Sequence, residues 1–202
     1  GLQCLAFKNV KVKEWDPMVY IFQLDIIGAS YLALKDYKKS ITYYNQIIDT
    51  VTKKPISEQQ KELWLGIANG NIGRCLFFMG KEKEALPLIN KHLAVAIKYK
   101  QPNNIAIAEN ARGDFFLKQK EYELARKSFN NALVAATQSL RFNDKVKATE
   151  GLVKSYVNLG NKDSILFYTK LHSRNLLEEV EKASAGKFSA MNSKIAFDRN
   201  KR

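Results

Sequence analysis

Two amides, Asn71 and Asn110, stand out because each carries a hydrogen-bond donor and an acceptor on one short side chain. That pairing suits the backbone of an extended peptide. Arg74, Lys118 and Lys154 could hold a carboxylate or an acidic side chain of the same partner. Phe78, Asp114, Lys147 and Asn158 fall on the same expected face, as do Asp25 and Ala29. Polar residues on an exposed helix face also need no ligand to explain them, so this chemistry depends on what places them together.

Other chemistry is harder to assemble. His92 and His172 hold matching places two repeats apart, too distant to share a metal, and read as packing-seam histidines. Cys75 lies in an apolar run, and it and Cys4 read as free thiols rather than a disulfide framework. No Gly-rich phosphate loop, paired Cys motif or nucleophile elbow occurs. Glu121, Glu123, Glu178 and Glu179 show no convergent spacing. The expectation is a non-enzyme with no cofactor, no metal and no small-molecule substrate. A formal charge of +13 over 202 residues raises the prospect of acidic partners. The basic residues are spread through every segment and mixed with Glu and Asp, as on a solvated basic surface. No basic stretch interleaves with aromatics, so nucleic acid is not an expected partner.

The elements that must position these residues come from a repeat. Gly28, Tyr31, Ser40, Tyr44 and Ile47 share their offsets with Gly73, Leu76, Ala85, Ile89 and His92. The same offsets return at Gly113, Phe116, Ala125, Phe129 and Ala132, and more weakly at Val153, Tyr156, Ile165, Thr169 and His172. Successive spacings are 45, 40 and 40 residues. Four copies at a nearly constant period predict a solenoid. Within each copy, apolar residues recur every three or four positions, which predicts two amphipathic helices joined by a short turn.

Helix ends are marked as well. Asp16 before Pro17 and Ser57 in a capping box with Gln60 predict starts, and Asn103 or Asn104 after Pro102 predicts another. Gly80 and Gly160 fall where a helix end takes a left-handed residue. Packing explains the small and large positions. Gly28, Gly73 and Gly113 let the second helix approach, with Ala85 and Ala125 opposite, while Tyr31, Tyr44, Phe116, Phe129 and Tyr156 fill the space beside the contact. The expected organisation is a tail of a preceding repeat over 1–16, helix pairs over 17–54, 57–100, 103–140 and 143–174, and a C-terminal helix over 175–202. The fold class is all-α, a right-handed solenoid.

This pattern of helix-A glycine, following aromatic, helix-B alanine and second aromatic resembles the tetratricopeptide repeat. The resemblance covers Pro17 to about Arg174, and GDFFLKQKEYELARKSFNNAL is its strongest copy. It implies a protein or peptide partner on a concave face lined by the first helices. The period exceeds the family's usual ~34 residues, the first-helix tryptophan and closing proline are missing, and the fourth copy has lost its glycine and alanine. Asp25 and Ala29 replace the Lys and Asn that a chaperone-type carboxylate clamp requires in its first copy.

The last stretch, NLLEEVEKASAGKFSAMNSKIAFDRNKR, leaves the repeat, with Leu177, Val180, Ser184, Phe188, Met191 and Ile195 at three-four spacing. It reads either as a cap over the last repeat or as a helix that pairs with its twin in a homodimer and relays a signal. A degenerate last repeat followed by a charged helix is similar in layout to the sensor region of bacterial signalling proteins, especially in Bacteroidetes, that carry a membrane span and a histidine-kinase or LuxR-like output. That resemblance implies an extracytoplasmic sensor fragment cut before its span. The alternative is a cytoplasmic adaptor without a membrane link, and the basic DRNKR end is unusual for the outer side of a span. The first residues carry no signal-peptide pattern, and no run of about 18 apolar residues occurs.

Overall fold

Each helix hairpin is closed by the same backbone device. Lys35, Gly80, Lys120 and Gly160 take positive φ, of 61°, 78°, 62° and 72°. The next amide in each case bonds back five residues, to the carbonyl of Tyr31, Leu76, Phe116 or Tyr156, at 2.9–3.2 Å. This 6→1 bond satisfies carbonyls that a helix end would otherwise leave bare. The four acceptors are the repeat's aromatic position, so one residue sets both the packing and the turn.

The computed structural model describes residues 16–199, with side chains described through residue 185. Among them are eight helices and no strand: α1 (Pro17–Ala33), α2 (Tyr37–Lys53), α3 (Glu58–Phe78), α4 (Glu82–Lys98), α5 (Pro102–Lys118), α6 (Tyr122–Gln138), α7 (Phe142–Leu159) and α8 (Lys162–Arg199). The expected tail over 1–16 lies almost entirely outside the described residues. Asp16 caps α1 by accepting from the Met18 amide at 2.8 Å, and Ser57 and Gln60 form the capping box that starts α3. Asn103 and Asn104 cap nothing. Pro102 opens α5 directly, which places both asparagines inside its first turn, with Asn104 buried. The helix expected from residue 175 is continuous with α8, because no turn residue interrupts the chain after Asn161.

Neighbouring helices pack in sequence order, and α1, α3, α5 and α7 also touch one another in turn. Among the described residues α2, α4, α6 and α8 do not. The first helices therefore form the inner, concave layer, as hairpins stacked into a curved array require.

The small positions act in three distinct ways. At Gly73 an added Cβ would meet the Ala85 carbonyl oxygen at 2.9 Å, a close approach of two backbones. At Gly28 the neighbour is the Tyr44 ring at 3.0 Å, and the Ser40 hydroxyl donates to the Gly28 carbonyl at 2.9 Å. At Gly113 the neighbour is the Phe129 ring at 2.6 Å. A Cβ at Gly151 of α7 would also collide with the Phe129 ring. Tyr44 and Phe129 are fully buried, each at the centre of an inter-hairpin core. Ala85 and Ala125 are fully buried as well. Tyr31 and Tyr156 instead stack on Tyr43 and Tyr168, at 5.4 and 5.3 Å, the same positions of the first and fourth hairpins. Phe116 is half-buried, edge-on to Phe115 with the Arg112 guanidinium over its face. The Cys75 thiol is buried and free, and burial pushes its pKa up, which makes it a packing residue. Cys4 lies outside the described residues.

Candidate functional site on the concave face

The inner layer encloses a cavity of about 560 Å³, with walls from α1, α3, α5 and the start of α7. Its apolar lining is Met18, Phe22, Leu63, Trp64, Ile67 and Ile107. Phe22 meets Trp64 edge-on at 5.0 Å, and Trp64 is 5% exposed. Its polar lining includes Asp25, Asn71, Arg74, Asn110, Arg141 and Lys147, with Tyr44 and His92 reaching in from the second helices.

Burial governs the ionisable groups here. It raises the Asp25 carboxyl above its ordinary value, and Tyr44, Arg141 and Arg74 only partly oppose it. The Tyr44 hydroxyl is pushed well up by the same cause and faces Asp25 without closing a hydrogen bond of ordinary geometry. His92 is held down to about 4 by desolvation, so its ring is neutral near pH 7.

The two amides singled out by the sequence both line this cavity, but neither is presented freely. Asn71 is 7% exposed; its amide donates to the Ile67 carbonyl at 3.2 Å and its oxygen accepts from Arg74 at 2.9 Å. Asn110 is 2% exposed and donates to the Asp144 carbonyl at 3.1 Å, tying α5 to α7. Both are wall residues of the cavity, buried where the inner helices lie close together.

Five further expected contacts are spoken for by neighbours. Phe78 stacks on Tyr37 at 5.6 Å and begins a run of rings through Phe77, Phe115 and Phe116 that crosses three hairpins. Lys118 bridges to Glu82 at 2.5 Å with its ammonium over the Phe77 ring. Asp114 pairs with Lys147 of the next first helix at 2.6 Å. Lys154 pairs with Glu150 along its own helix, and Asn158 donates to the Lys154 carbonyl. Of the expected face, Asp25, Ala29, Asn71, Arg74, Asn110 and Lys147 line the cavity, whereas Phe78, Asp114, Lys118, Lys154 and Asn158 do not.

Trp64, Asn104, Arg141 and Asp144 line the cavity without having been singled out. Arg141 and Asp144 form an i,i+3 pair at 2.5 Å at the start of α7. That pair is visible as a spacing, but the curvature that brings it opposite Asp25 is not. His172 sits apart, its Nδ1 3.1 Å from the Thr149 hydroxyl and 3.2 Å from the Val146 carbonyl oxygen. Among the described residues no cluster of three His, Cys, Asp or Glu could hold a metal ion, and no helix is long and apolar enough to cross a membrane.

A tetratricopeptide-repeat family model matches residues 25–50, across α1 and α2. Among solved structures, the crystal structure of BtubC (BKLC) from P. vanneervenii aligns with a TM-score of 0.64. The alignment covers 86% of this chain and 69% of that one at 12% identity, which is a likeness of fold. No curated protein matches the sequence. The chain is an all-α solenoid of tetratricopeptide-like hairpins, an architecture that typically serves protein–protein interaction rather than catalysis.

Proposed function

We propose that this chain is a non-catalytic scaffold that binds a protein or peptide along its concave face, as the sensor or regulatory domain of a larger bacterial signalling or transcription-regulating protein. The observation that carries the reading is the inner layer itself. Its cavity is lined by residues of α1, α3, α5 and the start of α7, with Arg74, Arg141 and Lys147 among them. Recognition on such a surface needs shape and a few charged contacts, and no reacting group.

The output is the continuous α8. A ligand that favours one curvature of the array shifts the tilt of the last hairpin, and α8 carries that tilt outward. Leu177 and Val180 are exposed on it, at 64% and 56%, which supports pairing with a second copy. Phe188, Met191 and Ile195 continue the same spacing beyond the described side chains. The second reading is a cytoplasmic adaptor or peptide-responsive regulator without a membrane link; the basic DRNKR end is unusual for the outer side of a span.

Panning a displayed library of end-blocked twelve-residue peptides against the whole chain tests the scaffold. Enriched sequences should lose binding on Lys147→Glu combined with Arg74→Glu, with the melting temperature held. Absence of enrichment, or binding indifferent to both changes, sinks the groove reading. The full-length gene tests the context: a hydrophobic segment encoded shortly after Arg202 supports the membrane-linked sensor, and its absence leaves the adaptor.

A further inference from the structure

The cavity is built for something smaller than a protein. Three side chains that line it are nine-tenths buried or more, and each has a polar atom with no hydrogen bond of ordinary geometry: the Tyr44 hydroxyl, which faces Asp25; His92 Nε2, on a ring that neighbours Asn104; and Asn110 Oδ1. Buried polar atoms are nearly always satisfied, and orphans gathered on one cavity are groups that a bound molecule would satisfy. The charges around them are of both signs. Asp25 lies within electrostatic reach of Arg74 on α3 and of Arg141 at the start of α7. Each guanidinium is anchored by one nitrogen only, Arg74 to Asn71 and Arg141 to Asp144, which leaves most of each fork free to donate. Trp64, Ile67 and Ile107 add apolar wall to the same cavity.

We propose that this cavity binds a small amphipathic zwitterion, a free amino acid or a short peptide with both ends unblocked. Its carboxylate is held by Arg74 and Arg141, its ammonium faces Asp25, and its apolar side chain lies against Trp64. A simple anion would bring like charge against Asp25, and a simple cation would face two guanidiniums and Lys147. An apolar molecule would leave all three orphaned atoms as they are. The zwitterion answers both signs at once and offers N–H and C=O groups to Asn110, Tyr44 and His92. Because His92 is neutral near pH 7, it can donate or accept there without adding another cation to the site. The volume, about 560 Å³, falls in the range of small-molecule sites.

The inference shares the concave face with the scaffold reading but not its ligand, so the two fail separately. The whole chain is titrated at neutral pH with L-phenylalanine, L-leucine and L-phenylalanyl-L-phenylalanine. The same titration is run with N-acetyl-L-phenylalanine, which lacks the ammonium, and L-phenylalaninamide, which lacks the carboxylate. Trp64 emission, read in a Trp15→Phe background because the chain holds two tryptophans, and the melting temperature are read together. The expected result is saturable binding of at least one zwitterion and binding about tenfold weaker or worse for each blocked analogue, as loss of one charge-assisted contact implies. Asp25→Asn and Arg74→Gln should each reproduce that loss; if either variant fails to fold, the blocked analogues decide alone. The stronger binder between amino acid and dipeptide names the source. No response to any zwitterion up to its solubility, or equal response to the blocked analogues, overturns the proposal. Binding of end-blocked twelve-residue peptides alone would then leave only the scaffold reading.

Discussion

Phe129 packs on two glycines from different hairpins, Gly113 in its own and Gly151 in the next. A Cβ at either position would collide with its ring. Gly151→Ala should therefore cost about 1–3 kcal/mol by overpacking, and Phe129→Leu in that background should restore part of it. A double-mutant cycle in urea measures the coupling, and additive effects would count against this contact. His92 makes the second residue-scale case. Folded, it takes up its proton only near pH 4; unfolded, it does so from about 6.5. Between those values the unfolded chain holds more protons, so stability is complete above pH 6.5 and falls as pH drops through the window. The full loss is roughly 3 kcal/mol at 1.36 kcal/mol per pKa unit. His92→Gln should flatten the difference between urea melts at about pH 7 and pH 5, and an unchanged difference would acquit His92. Gly113 was legible because it recurs at a fixed offset. Gly151 was hidden because it answers a ring in the preceding hairpin, and it stands two residues before the position, Val153, that the offset marks. Likewise Gly70 was passed over, though a Cβ there would stand 2.3 Å from His92 Nδ1.

At the scale of elements, the turns separate conformational fitness from contact. Gly80 and Gly160 hold their left-handed positions at no steric cost, and nothing lies within 4 Å of where either Cβ would be. Lys35 and Lys120 hold the same conformation with a side chain. Gly160→Ala should cost about 1 kcal/mol by backbone strain alone. Lys120→Gly should give back a few tenths to about 1 kcal/mol, reduced by the greater freedom of glycine in the unfolded chain. Thermal melts of both variants check the pair of signs, and the same sign for both would refute the argument. Helix starts at Asp16 and Ser57 could be read directly, since each cap is a local sequence event. The length of α8 could not: the expected break near residue 175 rested on a change in repeat pattern, and a helix ends for want of hydrogen bonding or at a turn residue, not because a pattern changes.

For the whole molecule, periodicity made the curved array legible, and with it the inner layer. The cavity was less so. Arg74, Asn71 and Asn110 could be placed on the inner face by register, but Arg141 and Asp144 reach the same space only because four hairpins curve around it. Curvature is a sum of small inter-hairpin rotations that no single residue encodes. Both ends of the array leave apolar side chains in water, Val19, Phe22 and Ile26 on α1 and Leu166, Phe167, Leu177 and Val180 on α8. If α8 pairs with a second copy, Leu177→Glu with Val180→Glu should convert a dimer to a monomer in light scattering while the melting temperature changes little. A wild-type chain that is monomeric at all concentrations would remove that assembly.

The 38 residues of α8 outnumber the 18 of α7, the neighbour it packs against among the described residues. The helix is therefore about 20 residues longer than that neighbour, or roughly 30 Å. With no joint along it, a tilt of about 10° at its seat would swing the far tip by about 5 Å. A lever of that length turns an adjustment too slight to disturb any single side-chain contact into a displacement that whatever adjoins the tip cannot ignore.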